Sequence, residues 1–420
     1  MTRFQLNEAE IYCENVPLSA IAQAVGTPVY VYSRSMLEQA ADAFRVGVEQ
    51  AGDVHLAYAV KANPNLAVIA VLAKQGYGAD VVSVGEMNRA IAGGVAARDI
   101  VFSGVGKTQA EMAAAIGVGV GQFNIESEVE GEELGDVVSR IGTVAVATLR
   151  INPDVDALTH AKISTGKADN KFGVSIHEAA DIYDRLSRRP GLGLRGIALH
   201  IGSQLLSLDP LEAAFERAGE LLNALRSRGH IVTHVDLGGG LGVQYRADQP
   251  PPSPADYGAM VARVTANWDV TLMFEPGRVI AANAGVMLSE VIRVKPGASH
   301  PFVIVDAAMN DLARPALYDA WHDISAVRPN GGRMIATIVG PICESSDTFA
   351  VARETDALVA GDLVMFGSTG AYGASMASTY NSRAMVPEVM VDGDQWAIVA
   401  ERIPAEEIMA AERVPDFLNG

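Results

Sequence analysis

Lys61 closes the apolar run of YAVKAN (58–63), a setting that partly desolvates an amine. Burial disfavours an ammonium and yields a nucleophilic amine that can form an imine with a carbonyl; the plainer alternative is a lysine paired with a carboxylate. His200 in HIGSQ (200–204) is either a side chain hydrogen-bonded in place or a flat imidazole face on which a ring can stack. In DLGGGLG (236–242), Gly238, Gly239 and Gly240 can turn consecutive backbone N–H groups toward an anion, or simply make a tight turn. Glu275 in FEPGR (274–278) suits a salt bridge to a lysine, or a contact that keeps a heterocycle nitrogen protonated. A protonated pyridine is the electron sink that stabilises a carbanion at a substrate α-carbon. An imine-forming lysine, glycines for a phosphate, a carboxylate for a ring nitrogen and a stacking face together describe pyridoxal 5'-phosphate better than any other cofactor. A dinucleotide site fits worse, because GGGLG follows six earlier strand–helix units and lacks an acidic ribose partner at the right distance. The 8 histidines show no HxH or HExxH spacing, so no metal is expected.

These residues act together only if the chain brings them to one place. From 55 to 277, short β-branched or apolar runs alternate with Ala- and Glu-rich stretches of helical period. The predicted strands are 55–61, 79–83, 100–104, 122–127, 144–152, 194–202, 231–238 and 270–275. Eight units over about 220 residues predict an α/β fold, a closed (β/α)8 TIM-type barrel; an open doubly wound sheet usually needs fewer strands. In such a barrel the C-terminal strand ends converge on one mouth, and strand eight neighbours strand one, so Glu275 and Lys61 should face the same cavity. After 285 the texture changes to Val, Ile and Thr runs (302–306, 334–339, 363–366, 396–400) separated by Gly, Pro and Asp, which predicts a mostly β domain of barrel or sandwich type. The run 28–32 has no place among the barrel strands and is expected to join that domain. The expected division is a barrel at 33–283 and a discontinuous β domain from 1–32 and 284–420. The polar stretch 154–171 is long enough for a lid, and the proline cluster 249–254 reads as surface punctuation.

Composition narrows the partners. The 50 acidic and 32 basic residues leave a formal charge of -18, which repels nucleic-acid phosphates and anionic lipid, so neither nucleic acid nor membrane is an expected partner. An anionic ligand must then be held by a few local Arg, Lys or backbone donors. A hydrophobic content of 49% over 420 residues suffices for two domains with buried cores. The two cysteines, Cys13 and Cys343, are too few for a disulfide framework. Glu8, Glu10 and Glu14 rule against a signal peptide in the first thirty residues, and apolar runs such as 66–73 are short of a membrane span. A cytoplasmic location is expected.

The chain resembles the fold-type III pyridoxal phosphate decarboxylases over almost its whole length. The resemblance rests on YAVKAN, HIGSQ, DLGGGLG, FEPGR, DAAMNDLARPALY (306–318), GPICESSD (340–347) and GAYGASM (370–376), in that order. It implies that Lys61 bears the cofactor, His200 stacks on its ring and Glu275 meets the pyridine nitrogen. It also implies that Ser203, Gly239, Gly240, Pro276, Gly277, Arg278 and Tyr372 surround the phosphate. CES at 343–345 resembles members that act on diaminopimelate, whereas ornithine-type members have Asp at the position of Glu344. For that substrate Arg278 and Arg314, with Tyr318 and Tyr372, are implied to hold the distal carboxylate, and Glu344 the distal ammonium. Cys343 is implied as proton donor. The implied reaction converts meso-2,6-diaminopimelate at its D-centre to L-lysine and carbon dioxide. A homodimer is implied as well, because in the family the loop with Cys343 and Glu344 reaches the other subunit's site. Relatives acting on ornithine, arginine or carboxynorspermidine are the first rivals. A single-barrel protein of cofactor homeostasis lacks the β domain, and a racemase is expected to carry Arg rather than Glu near the ring nitrogen.

Overall fold

The computed structural model describes residues 4–156 and 170–418. Residues 157–169, most of the stretch expected as a lid, lie outside the described residues. The chain forms two compact units, one of Leu37–Ala281 and one of Met1–Met36 with Ala282–Gly420.

The first unit is a closed barrel. Its strands are β1 (Val54–Ala59), β2 (Gly78–Val81), β3 (Ile100–Phe102), β4 (Gln122–Ile125), β5 (Ala145–Asn152), β6 (Leu192–Leu199), β7 (His234–Asp236) and β8 (Thr271–Phe274). Neighbours in this order pair in parallel, and β8 pairs with β1 to close the ring. A two-residue strand, Val174–Ser175, adds to β5. Parallel strands are covered on both faces, which is why β2, β3 and β4 are buried at every position. Inside the ring Ala57, Val101 and Met273 form one apolar cluster. Phe102 and Phe123 stack at 6.1 Å between centroids, each ring contributing about 2–3 kcal/mol by leaving water.

Helices start abruptly after the strands because the sequence supplies caps. The Ser83 and Ser127 hydroxyls each accept an N–H three residues on, at 3.2 Å. Thr108 with Glu111 and Ser253 with Asp256 form reciprocal capping boxes. The proline cluster is therefore more than punctuation, since Pro254 occupies the first position of the helix Pro254–Thr265.

Two strand ends differ from expectation at the residues that matter. The predicted run 55–61 ends as a strand at Ala59, and Lys61 lies in a 3-10 turn, Val60–Ala62. Ala59 gives its N–H to the Pro276 carbonyl at 3.1 Å, and Asn63, forced extended by Pro64, leads to Asn65 as cap of the next helix. The run 231–238 shrinks to β7 because Gly238 takes a left-handed φ of 65°.

The second unit is built on a nine-stranded sheet. The strand Val29–Ser33 is buried at all five positions and lies between Gly285–Lys295, antiparallel to it, and Glu388–Asp392, parallel to it. The N-terminal run thus belongs to this unit, as its exclusion from the barrel count implied. Strands Phe302–Val305, Arg333–Val339 and Thr348–Asp356 continue the sheet on one side.

Candidate active site

The polar groups of the barrel gather at the C-terminal strand ends. The Lys61 ammonium pairs with Asp80, the third residue of β2. Asp80 is fully buried while the lysine side chain is 36% exposed, so the carboxylate anchors the amine from below and leaves it reachable.

Glu275 follows β8 directly. Its Oε1 accepts the Ser103 hydroxyl at 3.3 Å and the Asn124 amide at 3.2 Å. Asp236, at the end of β7, accepts the Gly238 N–H at 2.9 Å and the Asn124 amide at 2.9 Å. The Asn124 amide nitrogen therefore bridges the two carboxyl groups. Burial pushes both above the usual carboxylate range, and Asp236 and Asp80 push Glu275 further, against the opposing pull of Lys61.

His200 follows β6 and accepts the Gly239 N–H on Nδ1 at 3.2 Å, which leaves its proton on Nε2. Burial, then Arg150 and Lys61, hold its pKa well below the ordinary value, so the ring is neutral. In the glycine turn Gly238 and Gly240 have φ of 65° and 113°. A Cβ on Gly239 would overlap the Glu275 carbonyl oxygen, and one on Gly240 would lie 2.6 Å from the Gly202 oxygen. Arg278 opens a short helix and reaches the Ser203 hydroxyl through Nη2 at 3.0 Å and the Tyr245 hydroxyl through Nη1 at 2.7 Å. Gly277 passes so close to β1 that a Cβ would stand 3.0 Å from that of Ala59. Nine residues singled out from sequence therefore share the barrel unit: Lys61, His200, Ser203, Gly239, Gly240, Glu275, Pro276, Gly277 and Arg278.

The other five lie in the second unit. Arg314 opens the helix Arg314–Tyr318 and donates to His322 Nε2 at 3.0 Å, while His322 Nδ1 donates to the Gly367 carbonyl at 2.8 Å. Cys343 is an exposed free thiol. Asp347 shapes its loop by accepting the N–H groups of Ile342 and Met309, each at 2.7 Å. Glu344 accepts the Tyr380 hydroxyl and, at 2.9 Å, that of Ser346, contacts that hold its carboxyl below the usual range. Tyr372 has a left-handed φ of 57° within GAYGASM.

Sequence reasoning passed over Asp80, Ser103, Asn124, Asp236 and Tyr380. It also missed a buried ionic network in the barrel, Glu126 with Arg150 at 2.7 Å and Lys107 with Glu130 at 2.8 Å. A signal existed for Asp80, Asn124 and Asp236, since each is a polar residue inside a run otherwise read as a buried strand.

Pyridoxal phosphate asks for an amine, a carboxyl at the ring nitrogen, a flat face and donors for a phosphate. Lys61, Glu275, the neutral His200 ring and the Arg278–Ser203 pair beside the glycine turn satisfy these in one unit. Asp80 Oδ1 is buried with no hydrogen-bond partner among the described residues, as suits a carboxylate held for a cation rather than for packing. The residues present fit the cofactor.

Residues 35–282 match the family described as pyridoxal-dependent decarboxylase, pyridoxal binding domain. Diaminopimelate decarboxylase of Zymomonas mobilis is 51% identical over 100% of both chains, and that of Vibrio cholerae 47% identical over 97% of both. Among solved structures, diaminopimelate decarboxylase of M. jannaschii in complex with L-lysine aligns with a TM-score of 0.95 at 32% identity, covering 99% of each chain. The Helicobacter pylori enzyme complexed with L-lysine aligns with a TM-score of 0.90 at 36% identity, covering 94% of this chain and 98% of the other.

Proposed function

The chain belongs to the pyridoxal-dependent decarboxylase family, and from that membership we propose how it works: it binds pyridoxal 5'-phosphate and decarboxylates meso-2,6-diaminopimelate at the D-centre, giving L-lysine and carbon dioxide in the last step of lysine biosynthesis. The observation that carries this reading is Lys61 seated on buried Asp80 at the mouth of a closed barrel, in a chain related end to end to diaminopimelate decarboxylases.

What the cofactor supplies when bound is an electron sink for the pair left on the α-carbon as carbon dioxide departs. The rest falls to the chain. Lys61 would provide the amine that holds the cofactor. Glu275 would hold the ring nitrogen with its carboxyl, and His200, neutral and fixed by Gly239, would offer the ring a flat face without adding positive charge. Arg278 and Ser203, with Gly239, Gly240, Pro276, Gly277 and Tyr372, enclose the phosphate. The forked donors of Arg278 and Arg314, with the Tyr318 and Tyr372 hydroxyls, bind the distal carboxylate, and anionic Glu344 binds the distal ammonium. Cys343 gives a proton to the α-carbon.

We place the enzyme in the cytoplasm as a homodimer in which Cys343 and Glu344 serve the partner's barrel. No described helix is long and apolar enough to cross a membrane. Mixing inactive Lys61→Ala with inactive Cys343→Ala protein should restore activity through hybrid dimers; no recovery after verified subunit exchange would count against a shared site. The substrate is tested by supplying meso-diaminopimelate, ornithine, arginine and lysine separately with pyridoxal phosphate and measuring carbon dioxide. Release from diaminopimelate alone is expected, and release from another substrate but not from it would overturn the assignment.

A further inference from the structure

Beneath Glu275 lies Asp236, a buried carboxyl that the reaction as derived does not use. Asp236 and Glu275 are both buried and meet at one amide donor, and two carboxyl groups so placed away from water do not both ionise. Asn124 bridges the pair, its amide nitrogen 2.9 Å from Asp236 Oδ2 and 3.2 Å from Glu275 Oε1. Which way that amide points is set from below. Asn124 Oδ1 accepts from Gln122 Nε2 at 2.8 Å and from the Thr148 hydroxyl at 2.5 Å, so its nitrogen must face the carboxyls. Gln122 is itself oriented by Arg195, which donates to its Oε1 at 2.9 Å. The relay runs from Arg195 on β6 through Gln122 and Asn124 on β4 to the ends of β7 and β8.

We propose that Asp236 and Glu275 hold one proton between them, and that Asp236 and Asn124 are positioning residues that fix the carboxyl facing the cofactor ring. The inference deepens the cofactor reading and rests on it for the ring, although the shared proton belongs to the protein alone. The charged groups that face the pair are Asp80 on β2 and Lys61 after β1, with the buried Tyr257 phenol close to Asp236 and the neutral His200 across the glycine turn. Asp80 is itself engaged by Lys61. With one proton the pair carries a single negative charge, which the protonated ring nitrogen of a bound cofactor would neutralise without stranding a second buried carboxylate.

The test is infrared difference spectroscopy of the full-length protein at neutral pH, before and after reconstitution with pyridoxal phosphate. Before reconstitution, the carbonyl stretch of one carboxylic acid should vanish in Asp236→Asn and equally in Glu275→Gln, because either change removes a sharer and leaves the other acid ionised among its donors. Loss in only one variant places the proton on a single acid, and loss in neither denies it; each result overturns the proposal. Should either variant fail to fold, carboxyl-13C titration of the unaltered protein decides, since a sharing pair titrates in coupled steps and independent single steps contradict it. The cofactor reading is judged separately, by whether the visible absorbance of lysine-bound pyridoxal phosphate develops on reconstitution. Its absence alongside the shared-proton signature would overturn that reading and leave the pair standing.

Discussion

Lys107 shows how much of the barrel mouth depends on single buried charges. Its ammonium donates to the Gly104 carbonyl at 2.5 Å and to that of Asn124 at 2.9 Å, and it pairs with Glu130. Both side chains are nearly inaccessible, and burial already pushes the Glu130 carboxyl up against the pull of Lys107. Lys107→Met should therefore cost about 3–5 kcal/mol at pH 7 by leaving that carboxylate unpaired. Without the cation the folded state binds the Glu130 proton more tightly than the unfolded chain, so the penalty should shrink as pH falls. Urea unfolding at pH 7 and pH 5 checks both statements, and an equal penalty at the two values would count against the pairing. At this scale the legible residues were those at strand ends or in glycine turns, such as Lys61, Glu275 and Gly239. Asp80 and Asp236 were not, because a polar residue inside a strand gains its meaning from neighbours on other strands, which spacing along one strand does not reveal.

The barrel's elements are joined by caps whose loss should be measurable one helix at a time. Thr108 accepts the Glu111 N–H at 3.2 Å while the Glu111 carboxylate accepts from both the Thr108 N–H and hydroxyl. Thr108→Ala should destabilise the unit by about 1 kcal/mol, read as a shift in denaturation midpoint at unchanged slope. No shift would mean that packing alone starts the helix Gln109–Val118. Elements were the most legible part of the sequence, because period-two and helical patterns are local. All eight barrel strands fall inside or within two residues of the predicted runs. Their ends were less legible: β1 stops early because Ala59 bonds across to Pro276, and β7 stops early because Gly238 turns. Both reasons involve residues more than one element away or a backbone angle that side-chain pattern does not encode.

At the scale of the whole molecule, stability should depend on pH through groups in the second unit as well. Burial pushes the Asp311 carboxyl, in the second unit, from 3.8 up to about 6, although Arg383 and the Ala308 N–H oppose it. The folded state then binds this proton more tightly than the unfolded chain, so the contribution is fully present below about pH 3.8 and is lost as pH rises through about 6. The separation corresponds to about 3 kcal/mol. Asp311→Asn should remove that part of the slope of unfolding free energy against pH, and an unchanged slope would assign it to other groups.

Fold class and the two-part architecture were legible at this scale, since the texture of the chain changes after 285 and the run 28–32 had no barrel partner. What the sequence could not convey was how Asp347 joins the 306–318 and 340–347 motifs through single hydrogen bonds.

Lys61 is the residue on which the chemistry depends. Borohydride reduction of the protein loaded with pyridoxal phosphate, followed by peptide mapping, should find a phosphopyridoxyl group on Lys61 and none on the Lys61→Ala variant. The group on another lysine, or on no lysine, would contradict it.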